Sequence, residues 1–80
     1  MEISTAKSAI GLLELKGAAP GLVAVDVAVK TASIEILQAK VECPGKYVVI
    51  MAGEIAAVEA GMAAAKAAVG SGLYDFSVLG

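Results

Sequence analysis

Gln38-Ala39-Lys40-Val41-Glu42-Cys43-Pro44-Gly45-Lys46-Tyr47-Val48-Val49-Ile50-Met51 is the stretch on which the reading of this chain turns. Two apolar, β-branched runs flank a tight break at Cys43-Pro44-Gly45-Lys46, which predicts strand, short loop, strand. Pro44 fixes its own φ, removes a backbone donor and pushes Cys43 toward extended geometry. Gly45 then takes a positive φ without steric cost. The loop is therefore shaped by its backbone and presents Glu42, Cys43 and Lys46 close together.

Working outward, Tyr47 to Met51 is apolar on both faces, as in a central strand covered on both sides. The third strand is expected over 46–52 and the second over 33–42. Gly53 ends the third strand, and Glu54 opens a helix over 54–69 whose core stripe is Ile55, Val58, Met62, Ala65 and Val69. The rest of that helix is mostly alanine, which gives high propensity and a thin cylinder that another surface can approach closely. Plain propensity explains the alanines equally well. Gly70-Ser71-Gly72 stops the helix, and a last strand is expected over 73–79.

Toward the N-terminus, Ala9 to Lys16 alternates as a first strand, with Leu13 and Leu15 on one face and Glu14 and Lys16 on the other. Gly17 to Gly21 breaks it, with Pro20 suited to a first helical turn. A helix is expected over 22–32 with Leu22, Val25 and Val29 as its stripe. Asp26 and Lys30 stand four apart on it, as a mildly favourable ion pair on a solvated face. Residues 1–7 read as a loose N-terminal extension. The order β-α-β-β-α-β, with right-handed crossovers, predicts an α+β ferredoxin-like sandwich: one antiparallel sheet with two helices on one face.

Composition limits the function. Eighty residues make one domain. A chain 59% hydrophobic and only 18% charged carries more apolar surface than so small a core hides, so neighbouring subunits should cover part of it. No apolar run approaches the ~18 residues of a membrane span, and the start lacks the basic and apolar regions of a secretory signal. A net charge of −2 argues against nucleic acid as a partner. A single cysteine makes no internal disulfide, in keeping with a reducing cytoplasm. There is no histidine, no phosphate-cradling glycine motif and no base near Ser8, Ser33, Ser71 or Ser77. One cysteine builds no zinc site within a chain. Catalysis is not expected, and the function should lie in assembly.

Three segments resemble the shell proteins of bacterial microcompartments, the BMC domain family. These are Ala9 to Gly17 (AIGLLELKG), the D-x-x-x-K helix Val25 to Ala32 (VDVAVKTA), and the strand-to-helix junction Gly53 to Gly61 (GEIAAVEAG). The likeness runs from about Ser8 to Leu79, so residues 1–80 are expected to form a single domain of this kind.

The resemblance implies a homo-oligomer, a cyclic hexamer or a trimer of tandem domains. Such rings tile with other shell proteins into the coat of a cytoplasmic compartment. It implies that Lys40, Glu42, Cys43, Pro44, Gly45 and Lys46 surround a central pore for small metabolites. It also implies that Asp26 and Lys30 lie at the tile edge. The pore loop departs from the Gly- and Ser-rich form of single-domain members and looks like the first half of some tandem shell proteins. A minimal shell protein and half of a tandem one therefore both fit. Cys43 is expected to be a free, pore-lining thiol without a cofactor. An iron–sulfur cluster at the ring axis is the alternative, since several copies would have to supply its ligands. The rival from another class is a small-molecule-sensing regulatory domain, a discrete dimer or trimer that a metabolite would stabilise.

Overall fold

The computed structural model describes residues 9–80, so the N-terminal extension over 1–7 lies outside the described residues. The elements are β1 (Ala9–Leu15), α1 (Ala18–Thr31), β2 (Glu35–Cys43), β3 (Lys46–Gly53), α2 (Ile55–Val69), a single 3₁₀ turn (Gly70–Gly72) and β4 (Leu73–Leu79). The four strands form one sheet in the order β2-β3-β1-β4, and every neighbouring pair is antiparallel. The expected sandwich is what the chain forms.

The two helices cover one face of this sheet. From β1, Leu13 and Leu15 point to them; from β3, Tyr47, Val49 and Met51 do so. The helices answer with Ala24, Ala28, Val58, Met62 and Ala65, and together these make the core. The alternation of β1 is as read, with Leu13 and Leu15 fully buried and Glu14 on the opposite face.

The stripe of α1 differs from the expectation. The helix starts earlier, at Ala18, with Pro20 inside its first turn, and its buried residues are Gly21, Ala24 and Ala28. Leu22 and Val29, expected inside, are 62% and 45% exposed, and Val25 is only partly buried. Close packing is the reason. A Cβ at Gly21 would stand 2.6 Å from Cγ of the Tyr47 ring, so the helix approaches the sheet through its smallest side chains. With valine or leucine on every side of this helix, periodicity alone does not choose the face. On α2 the stripe holds at Val58, Met62 and Ala65, while Ile55 at the first turn is exposed.

β3 is central in the sheet, as its composition predicts, but only one of its faces meets helices. On the other, Val48 and Ala52 are buried among neighbouring strands and Ile50 is half-buried. That open face also carries Ile10, Leu12 and Glu14 of β1, as the β1–β3 register requires.

Candidate functional site

The connection that opened the sequence reading is tighter than a loop. Cys43 and Lys46 are themselves paired strand residues, and only Pro44 and Gly45 turn the chain. Gly45 has φ +82°, as at the third position of a type II turn, with proline before it. A type II turn splays a two-residue hairpin. A register shift between Val41 and Cys43 absorbs the mismatch as a bulge. Val41, Glu42, Cys43, Pro44 and Gly45 are all exposed, so the tip projects from the body.

Of the residues singled out there, the structure brings Glu42, Cys43 and Lys46 together. Lys40 lies opposite Val48, two residues back on β2, and forms no ion pair among the described residues. Lys46 has a partner that sequence spacing does not reveal: its Nζ lies 3.2 Å from Oε1 of Glu14, with each side chain about one third exposed. Glu14 raises the Lys46 ammonium above the ordinary lysine value, first by hydrogen bonding and then by charge. Partial burial opposes this, and Cys43 and Glu42 add smaller upward pulls. Glu14 faces Asp75 of β4 across the sheet, an unfavourable like-charge pairing. Asp75 Oδ1 instead accepts the backbone N–H of Phe76 at 2.8 Å, and Glu14 turns to Lys46. The signal for Glu14 in the sequence was its outward position in the β1 alternation, but naming its partner requires the register.

The second group lies elsewhere. Asp26 Oδ1 and Lys30 Nζ pair at 3.2 Å on the exposed face of α1. Leu22, Val23 and Val29 are exposed on the same helix, Leu22 and Val29 against the expected stripe. α1 leaves the sheet where Leu15 pairs with Tyr47, beside the hairpin tip. It runs to Thr31, near the end where Glu35 pairs with Ala52. Fourteen residues of helix span ~21 Å. Lys30 is therefore at the opposite end of the domain from Cys43.

Among the described residues, no three His, Cys, Asp or Glu side chains come together to hold a metal ion. Cys43 is an exposed free thiol, and one thiol does not hold an iron–sulfur cluster within a single chain. Among the described residues, no helix is long and apolar enough to cross a membrane.

This arrangement is a small ferredoxin-like α+β domain with a projecting hairpin and an exposed apolar helix face. The BMC domain family matches it over residues 9–79, and the chain belongs to that family. It is 38% identical over 71 residues to the bacterial microcompartment shell protein PduT of Citrobacter freundii, covering 89% of this chain and 39% of that protein. The crystal structure of a microcompartments protein from Desulfitobacterium hafniense DCB superposes with a TM-score of 0.86 at 38% identity, again over 89% of this chain and 39% of the other. The chain thus spans about two fifths of the length of each relative.

Proposed function

We propose that this chain is a structural subunit of a bacterial microcompartment shell, a protein coat within the cytoplasm, and not an enzyme. The observation that carries the proposal is the BMC domain match across residues 9–79, together with 38% identity over 71 residues to a bacterial microcompartment shell protein. In this reading six domains close into a ring that tiles with other rings and other shell proteins. Six separate copies, or three longer chains with two such domains each, meet the same geometry.

The hairpin tips converge on the ring axis. Lys40, Glu42, Cys43 and Lys46 then repeat around an opening for small metabolites, and the Pro44–Gly45 backbone sets its width. Cys43 contributes a free thiol to that lining. The far end of α1 lies at the ring edge, with the Lys30 stem packed on a neighbouring ring and its ammonium donating to backbone carbonyls. Asp26 holds that ammonium in place.

Two features of the domain support this layout. The hairpin and Lys30 are at opposite ends, so one can face an axis while the other faces an edge. Leu22, Val23 and Val29 remain exposed and supply apolar contact area between subunits. Light scattering with negative-stain imaging tests the proposal. Rings that associate into sheets are expected, with Lys30→Ala leaving rings but abolishing sheets. A stable monomer at micromolar concentration would overturn the reading, and a Lys30→Ala protein that tiles like the parent would remove Lys30 from the edge contact.

A further inference from the structure

The residues of the hairpin mouth read from sequence, Lys40, Glu42 and Lys46, leave one net positive charge per copy. Repeated around an axis, that surplus would focus a positive potential on the opening and concentrate anions there. The structure adds a fourth member. Glu14 comes from β1, more than two dozen residues away in sequence, and bonds Lys46 at 3.2 Å. The other charges nearby do not undo the balance. Lys16, at the end of β1, turns to the far edge of the sheet with its Nζ 5.4 Å from the centroid of the Tyr74 ring. Asp75, on β4, stands directly across from Glu14 and keeps its negative charge while accepting the backbone N–H of Phe76; it and Lys16 are one anion and one cation and cancel.

We propose that Glu14 is the charge-balancing residue of the axial opening: by pairing with Lys46 it makes the mouth electrically neutral, so that the opening admits small polar metabolites without concentrating anions. The inference rests on the ring reading above. It assigns selectivity to a residue outside the hairpin. It also places the deciding contact on the open face of the sheet, where a β1 carboxylate and a β3 ammonium meet. Lys40 and Glu42 then balance each other on β2, and polarity and width, not charge, set what passes.

The test compares the parent, Glu14→Gln and the double variant Glu14→Gln/Lys46→Gln. Light scattering first establishes that each forms rings. Each is then titrated calorimetrically with inorganic pyrophosphate at low ionic strength. The parent should show no saturable binding. Glu14→Gln should bind it saturably, at least roughly tenfold more tightly than the weakest binding the titration detects, the lower end of the effect of a focused field, and should lose that binding as salt is added. The double variant should return to the parent's behaviour, which separates charge from any structural effect of losing Glu14. Intact Glu14→Gln rings that bind pyrophosphate no better than the parent would overturn the proposal, as would parent rings that already bind it. Absence of rings in the parent would overturn it by a different route, through the ring reading, and the scattering measurement tells the two failures apart.

Discussion

Replacing Gly21 by alanine should destabilise this protein, although it places the best helix former inside a helix. At Gly21 the new Cβ would stand 2.6 Å from Cγ and 2.7 Å from Cε2 of the Tyr47 ring, and Cδ2 is nearer still. Tyr47 is only 9% exposed and sits between Leu15 and Val41 in the sheet, so the ring has little room to swing. Overpacking of this kind costs about 1–3 kcal/mol. The gain in helix propensity returns about 0.8–1 kcal/mol, so the net loss should be about 0–2 kcal/mol, toward the upper end because the ring has little room. Gly61 on α2 is the control. A Cβ there meets Met51 Sδ at 3.6 Å and Ala28 Cβ at 3.7 Å, ordinary contacts, so Gly61→Ala should keep most of the propensity gain, up to about 1 kcal/mol. The two variants make the same chemical change and should move in opposite directions. Urea unfolding followed by far-UV circular dichroism measures both, at one protein concentration because assembly shifts apparent stability by mass action. Adding Tyr47→Leu to Gly21→Ala should recover much of the loss, and the double-mutant cycle isolates the contact. If Gly21→Ala is as stable as Gly61→Ala, the close approach of α1 to the sheet is not as described.

Met62→Ala removes a side chain that is 2% exposed and should cost about 2–5 kcal/mol in the same unfolding assay. Leu22→Ala, at a residue 62% exposed, should stay within about 0.5 kcal/mol in the dilute limit and act on ring formation instead; a multi-kilocalorie loss there would restore Leu22 to the core. The Lys46 ammonium titrates above the ordinary 10.5 of lysine in the folded chain. Its contribution is therefore full below the unfolded value and lost as pH rises through the folded one. Unfolding measured at strongly alkaline pH should show a steeper loss for the parent than for Lys46→Met, and identical slopes would mean that the Glu14 pair adds nothing. Anaerobic reconstitution with iron and sulfide should give equal, featureless visible spectra for the parent and Cys43→Ser; a charge-transfer band present only in the parent would make Cys43 a cluster ligand.

The order of elements was legible in the sequence because each signal is local. Alternation marks β1 through Leu13 and Leu15, Pro44-Gly45 marks the hairpin, and the β4 range is read from the glycines before Leu73. The same locality limits what could be read. The buried face of α1 was not available, because Leu22 and four valines ring the helix, and only tertiary packing, against the Tyr47 ring at Gly21 and against Gly61 of α2 at Ala28, selects the small side chains. The middle of the α2 stripe was, because alanine surrounds Val58 and Met62, although Ile55 at its start is exposed. The hairpin residues Glu42, Cys43 and Lys46 were found together because they are neighbours in the chain, and Asp26 and Lys30 because helical spacing joins them. Glu14 could be placed on an outward face but not beside Lys46, since cross-strand partners depend on register, and register is settled by the whole sheet packing on its helices. Sequence alone therefore determined the order of elements, the residues at the hairpin and the Asp26–Lys30 pair. The tertiary structure decided which small side chains bring the layers together, and which carboxylate answers the charge at the hairpin.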